Sequence, residues 1–190
     1  APTVVERILP VIKQIAANGT AVIIVEQSVN LALTIAQRAY FMEKGKIRFS
    51  GLTKDLLDRP DLLRSVFLSK VEAAPIKIAH SVESTTEVTL KAEELSRQFG
   101  GIRAVASVSF DVKEKEIVGI MGPNGAGKTT LFDLLSGFVP QDSGSIYLGN
   151  RNITESTPSD RARFGLGRSF QDARLFPSLT VAEAIAVALE

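Results

Sequence analysis

Ile117-Val118-Gly119-Ile120-Met121, running straight into Gly122-Pro123-Asn124-Gly125-Ala126-Gly127-Lys128-Thr129-Thr130, is the stretch that decides the fold. The first five residues are a short unbroken apolar run, as expected of a parallel strand covered on both faces. Gly122 to Thr129 fits G-x-x-x-x-G-K-[ST], and Thr129 to Ser136 reads as a helix stopped by Gly137. The motif therefore lies between a strand and a helix, where it can work. Its glycines let the backbone curl without Cβ clashes, so that successive N–H groups and the positive end of the helix converge on one anion. Lys128 would then reach the β- and γ-phosphates of a nucleotide, the Thr129 hydroxyl would hold Mg²⁺, and Thr130 would add a contact to the α-phosphate. The plain alternative is a tight strand-to-helix turn with a solvated lysine. The flanking strand and helix favour phosphate binding.

Working outward, Val88, Leu90 and Ala92 alternate with polar residues, as do Val108, Phe110 and Val112, which indicates antiparallel strands with one wet face. Gln141-Asp142-Ser143-Gly144 marks a turn before a strand at Ile146-Tyr147-Leu148. Thr180 and Glu183 have capping-box spacing at the start of a last helix. Residues 71 to 86 lose apolar periodicity and gain small polar residues, and read as a linker.

Before the linker, Val4, Val5, Ile8, Leu9, Ile12, Ile15 and Ala16 recur at helical spacing, with Thr3 and Glu6 placed as a capping box and Asn18-Gly19 as a left-handed stop. Ala21-Val22-Ile23-Ile24-Val25 is a second buried-strand run. Ser28 can cap a helix to about Gln37. The segments 39 to 42 and 46 to 49 flank Glu43-Lys44-Gly45 as a hairpin, and short helical turns are expected at Thr53 to Leu57 and Asp61 to Phe67.

Bulk properties narrow the field. The 190 residues are 45% hydrophobic, enough for a real core, and the net charge of +1 gives no field that would gather nucleic acid. There is no cysteine and one histidine, His80, so neither a disulfide framework nor a thiolate or histidine metal cluster is available. No run approaches the ~20 apolar residues that span a bilayer. A cytoplasmic setting, with membrane association only through a partner, is the expectation.

These motifs together resemble the ATP-binding domains of ABC transporters, in particular the ATPases of branched-chain amino acid importers. The second half resembles the start of such a domain, through Leu95 to Gly101, Val108-Ser109-Phe110, the P-loop, Leu131 to Gly137 and Gly165-Leu166-Gly167-Arg168-Ser169-Phe170-Gln171. The resemblance implies that Gln171 is the glutamine that senses Mg²⁺ and attacking water, in a loop that touches the membrane permease. It also implies that Phe99 stacks on adenine with Val105 beside the base. The first half resembles the opposite end of a related domain, with Val25 to Ala32 matching the switch region. Gln27 stands there where many members have a histidine that contacts the γ-phosphate. A glutamine can donate a hydrogen bond but cannot titrate.

The resemblance thus implies a permuted order: residues 1–70 are the C-terminal part of one ABC ATPase domain, 71–86 a linker, and 87–190 the N-terminal part of a second. The expected fold is α/β, a P-loop NTPase core fragment with a parallel sheet and an antiparallel β-subdomain. In the family the P-loop strand lies between the switch strand and the strand after the switch helix, which here places 116–121 between 20–26 and 38–43. The switch strand would keep a bare edge, inviting a homodimer or strand exchange. The sequence holds no L-S-G-G-Q-type signature and no apolar strand ending in Asp-Glu, so binding of Mg-ATP or ADP is expected and hydrolysis by this chain alone is not. The functions left open are an ATP-binding segment of an importer, working with permease subunits and a second ATPase domain at the inner membrane face, a non-hydrolytic nucleotide-binding module, and a structural remnant.

Overall fold

The computed structural model describes residues 2–58, 76–77, 87–169, 179–183 and 186. Helix α1 (Pro2–Ala17) leads into strand β1 (Val22–Glu26). Helix α2 (Val29–Ile35), the hairpin β2 (Arg38–Glu43) and β3 (Lys46–Leu52), helix α3 (Thr53–Leu57) and the two-residue strand β4 (Ile76–Lys77) follow. Two long strands come next, β5 (Val88–Phe99) and β6 (Ile102–Lys113), then β7 (Ile117–Met121), helix α4 (Lys128–Leu135), β8 (Ser143–Leu148), β9 (Arg151–Asn152) and helix α5 (Pro158–Arg163).

The strand order sets 117–121 between 22–26 and 38–43, as expected. One sheet runs β1-β7-β2-β3-β4, and the other, antiparallel throughout, runs β6-β5-β8-β9. β7 is parallel to both its neighbours, with Val25 opposite Ile120 on one side and Tyr40 opposite Ile120 on the other. All five residues of β7 are buried, as its unbroken apolar run demands, whereas those of β1 are only half-buried. Among the described residues β1 pairs with β7 alone.

Local chemistry accounts for the element ends. α1 closes on Gly19 at φ 109°, with Thr20 N–H donating to Ile15 O and Gly19 N–H to Ala16 O, the paired bonds of a left-handed C-terminal cap. The helix begins at Pro2, so Thr3 lies inside its first turn rather than at the cap expected from the capping-box spacing. Lys44 (φ 47°) and Gly45 (φ 77°) both take left-handed conformations, which is the turn that matches the twist of a two-residue hairpin. α2 stops at Ile35, two residues before the expected end. Gln37 is drawn onto β7 instead, where its Oε1 accepts from Ile117 N–H at 2.6 Å and its N–H donates to Ile117 O. Within the segment read as a linker, Ile76–Lys77 pairs in parallel with Phe49 and Ser50. The helical turn expected at Asp61 to Phe67 lies outside the described residues.

The pairing of the two long strands is interrupted by several register shifts, two of which carry left-handed residues. Glu94 (φ 50°) and Ser107 (φ 52°) sit at register shifts that flip the side-chain parity, so Leu95 follows Ala92 into the core, and Val105 and Val108 both face inward. Serine side chains hold both bulges, Ser109 Oγ accepting from Glu94 N–H at 2.8 Å and Ser96 Oγ from Ser107 N–H at 3.0 Å.

The two halves share one interior. Tyr40 and Met42 of the first half pack with Leu90, Val105, Ile120 and Leu131 of the second in the largest buried cluster. On the other sheet face, α2 and α3 bury Val29, Leu33 and Leu56 against Phe41, Phe49 and Met121. Each such fully buried aliphatic side chain contributes about 1.5–3 kcal/mol, so the halves are held mainly by core, not by their rim. A polar seam adds registration. Arg38 of β2 donates through Nε to Glu116 at 2.5 Å and through Nη2 to Asp111 at 3.0 Å. Burial opposes its charge, yet the hydrogen bonds with Glu116 and Asp111 outweigh that effect and raise the guanidinium pKa above its ordinary value.

Candidate functional site

The site forms where β7 gives way to α4. Gly122 (φ 154°) and Gly127 (φ 98°) are required by close approach as well as by conformation. A Cβ on Gly122 would run into the carbonyl oxygen of Met42, and one on Gly127 into that of Ala104. Gly125 (φ 77°) has nothing within 4 Å of its would-be Cβ, so the loop is walled at both ends and open in the middle. α4 starts at Lys128 with Gly127 as its N-cap, and Gly127 has no side chain to occupy the first-turn N–H groups. Lys128 Nζ donates to Gly122 O at 2.6 Å and to Pro123 O at 2.8 Å, which folds the ammonium over the loop. Burial lowers the Lys128 pKa from its ordinary value, while the Glu26 carboxylate acts in the opposite sense.

The hairpin turn of the first half buttresses this loop. Gly45 N–H donates to Ala126 O at 2.9 Å, and Gly45 O accepts from Ala106 N–H at 2.8 Å, so the turn bridges the P-loop and β6. From the other side, Gln27, just beyond β1, donates through Nε2 to Asn124 Oδ1. The sequence expectation for Gln27 rested on resemblance alone, and the structure brings the residue to the loop. Thr129 is exposed in the first turn of α4 and Thr130 is half-buried beside it. Ala126 is buried, and Pro123 and Asn124 are exposed.

Phe99 ends β5 at the tip of the β5–β6 hairpin, 45% exposed. Val105, expected beside the base, has its side chain fully buried in the largest cluster and presents no exposed surface in this structure. The bulge at Ser107 sets this parity, turning Val105 inward and leaving the neighbouring Ala104 half-buried with its carbonyl against the P-loop. Gln171 lies outside the described residues, as does the loop from Phe170 to Pro177.

Three contributors escape a reading of the sequence. The Gly45 turn and the Ala104 carbonyl act through backbone contacts across the two halves, for which no local signal exists. Glu26 was legible only as a strand end. The parallel register that sets it opposite Met121 brings it near Lys128.

The loop suits a polyphosphate: glycines at contact-limited positions, a helix N-terminus, and one cation folded over it. For a metal, the described residues contain no group of three or more acidic or histidine side chains. The Thr129 hydroxyl is an oxygen donor that fits Mg²⁺, which keeps several waters and is commonly held through substrate phosphates with few protein ligands.

Fold and site together define the class as a P-loop nucleotide-binding α/β core with an appended antiparallel sheet. Within it, residues 105–188 match the family described as ABC transporter. A probable ABC transporter ATP-binding protein of Azorhizobium caulinodans is 42% identical over 107 residues, covering 56% of this chain and 38% of that protein. The high-affinity branched-chain amino acid transport ATP-binding protein LivG of Salmonella typhimurium is 46% identical over 94 residues, 50% of this chain and 37% of its own length. BraF of Pseudomonas aeruginosa, of the same description, is 42% identical over 99 residues, 52% and 39% of the two chains. The chain spans well under half the length of these relatives. Among solved structures, a nucleotide-free ATP-binding cassette from an ABC transporter aligns with TM-score 0.44 and 27% identity, covering 53% of this chain and 46% of that one.

Proposed function

We propose that this chain binds Mg-ATP at Gly122 to Thr130 as the ATP-binding segment of an ABC transporter ATPase that energises uptake of branched-chain amino acids. The observation that carries the proposal is the convergence of both halves on one loop: Lys128 folded over it, Gln27 bonded to Asn124, and the Gly45 turn holding Ala126. The similarity to LivG and BraF supports the choice of substrate class. On this reading residues 1–70 and 87–190 are the end and the start of two ATPase domains joined by 71–86. The Phe170 to Pro177 loop docks on a permease subunit at the cytoplasmic membrane face. Phe99 stacks on adenine, Gln27 reaches the γ-phosphate, and Thr129 with Gln171 attends Mg²⁺. The described residues hold no helix long and apolar enough to cross a membrane, so attachment would come through the permease.

When bound, Mg²⁺ would neutralise charge on the β- and γ-oxygens. Lys128 orients the terminal phosphates, and the walls at Met42 and Ala104 fix how far the loop can close on them. With no apolar strand ending in Asp-Glu in the sequence to supply the glutamate that orients water, this arrangement is expected to bind rather than hydrolyse. Titration of the full chain with Mg-ATP, beside Lys128→Ala, tests both parts. Affinity lost in the variant, with phosphate release equal in the two proteins, is the expected result. Equal affinity in both proteins would overturn the binding site, and release clearly above the variant would overturn the non-hydrolytic reading.

A further inference from the structure

Phe99 is a half-exposed aromatic at a hairpin tip, a position where a ring is ordinarily free to choose rotamers. Here one of its faces is already taken. The Arg97 guanidinium carbon lies 4.8 Å from the Phe99 ring centroid, within cation–π range. An exposed arginine would normally extend its head into water, so something must hold this one back.

Asp142 does so. Its Oδ1 accepts from Arg97 Nη1 at 2.7 Å, and its Oδ2 accepts from Gln98 N–H at 2.7 Å. Its own N–H donates to Ser96 O at 2.9 Å, so the aspartate is tied to β5 on both sides of Arg97 and its carboxylate cannot swing. Arg97 Nε is buried without a hydrogen-bond partner. A buried donor left unpaired has an energetic cost, so the head group is held where it is by the ion pair and the ring rather than by satisfying all its donors.

The hairpin tip is also in register with the phosphate loop. Phe99 is opposite Ile102, and Ala104, two residues along β6, presents its carbonyl to Gly127. Ile102, the partner of Phe99, is thus two residues, about 7 Å of strand, from the carbonyl that walls the loop.

We infer that Arg97, anchored by Asp142, is a positioning residue that backs the Phe99 ring and presets its orientation for an adenine stacked on the opposite face. This rests on the proposed stacking of adenine on Phe99. A ring fixed before binding loses less freedom when the base arrives, so the device acts on affinity for nucleotides with a base and not on affinity for bare phosphate. Asp142 belongs to the turn before β8, so the antiparallel sheet takes part in holding the base.

The test is calorimetric titration of the full chain with Mg-ATP and, separately, with magnesium tripolyphosphate. Arg97→Ala is expected to weaken Mg-ATP about three- to ten-fold, the range of a partly desolvated cation–π contact, and to leave tripolyphosphate unchanged. Asp142→Asn, which keeps an acceptor for Gln98 N–H but frees the guanidinium, should weaken Mg-ATP in the same direction, and it decides the matter if Arg97→Ala does not fold. Arg97→Lys should recover part of the loss. Unchanged Mg-ATP affinity in Arg97→Ala, beside a loss in Phe99→Ala, would overturn the role of Arg97 while keeping the stacking. Equal weakening of both ligands with a lowered melting temperature would overturn it in favour of a purely structural arginine. Unchanged Mg-ATP affinity in Phe99→Ala would overturn the stacking itself, and the inference with it, while tripolyphosphate binding still reports on the P-loop.

Discussion

Gln27 donates a side-chain hydrogen bond to Asn124 across 97 positions of sequence. The two residues meet because β1 and β7 run in parallel with Glu26 opposite Met121, so the chain leaving each strand emerges at the same sheet edge. The first half of the chain thus supplies a polar side chain to a loop built by the second half.

Replacing that glutamine separates its function from its place in the fold. The pair is exposed, so Gln27→Ala is expected to change stability by no more than about 0.5 kcal/mol while weakening Mg-ATP binding. Gln27→His is the sharper variant. An imidazole titrates between about pH 5 and 8, and its protonated form attracts phosphate, so affinity relative to the wild type should rise as pH falls through that window, the titration of the nucleotide's own phosphate being common to both proteins. Calorimetry at both ends of the window reads the difference, and a Gln27→His profile that parallels the wild type would place residue 27 out of reach of the phosphates.

The glycines of the loop are not equivalent. Gly127→Ala sets a methyl against the Ala104 carbonyl at φ 98°, with backbone on both sides and no flexible atom to yield. A loss of about 2–4 kcal/mol is expected, in the range of strained or overpacked sites. Gly125→Ala meets nothing within 4 Å, so only the left-handed backbone at φ 77° is penalised, by about 1–2 kcal/mol. Urea denaturation of the two variants gives the comparison. Equal losses would mean that the Ala104 wall does not constrain the loop.

β7 and the phosphate loop could be read from local pattern, because an apolar run followed by a glycine-rich turn and a helix admits few structures, whereas the similar run Ala21 to Val25 reads as a buried strand and is only half-buried, because β1 is paired on one side alone among the described residues. The order β1-β7-β2 followed from resemblance and not from spacing, since nothing within Ala21 to Val25 says which strand pairs with it. Other features were hidden for physical reasons. Val105 lies in an alternating strand whose parity is reset by Ser107, a residue with no unusual preference for a bulge. The packing of the Lys44-Gly45 turn on Ala126 depends on a tertiary approach between segments some eighty residues apart. Arg161 carries no signal in the sequence, yet it is only 2% exposed.

That arginine supplies a test of how the phosphate-loop helix is finished. Arg161 donates to Leu134 O at 2.6 Å and Leu135 O at 2.7 Å, the last carbonyls of α4, and further to Ser156 O and Thr154 O. Burial lowers its pKa, with Glu155 opposing, but the guanidinium keeps its charge at the negative end of the helix. Arg161→Met would fill similar volume and leave four carbonyls without this donor. A loss of about 3 kcal/mol or more is expected, since each buried polar group left unpaired costs roughly 1–3 kcal/mol. Chemical denaturation measures it, and a loss under about 1 kcal/mol would show that water replaces the guanidinium at no great cost.

Thr180 and Glu183 carry the last test, of a cap that was legible from spacing alone. Thr180 N–H and Oγ1 both donate to Glu183 Oε2 at 2.7 Å, and Thr180 Oγ1 accepts from Glu183 N–H at 3.3 Å, the reciprocal pair of a capping box. The hydrogen bond from the Thr180 backbone, then that from its hydroxyl, lower the Glu183 pKa from its ordinary value. A carboxylate whose folded pKa is depressed contributes stability that is present above its unfolded value of about 4.3 and is lost as pH falls through the folded value. The cap should therefore hold at neutral pH and release in acid. Thr180→Ala removes the hydroxyl but keeps the backbone donor, so the Glu183 titration followed by NMR should move part of the way back toward the ordinary glutamate value. An unmoved titration would mean that the hydroxyl takes no part in holding the carboxylate.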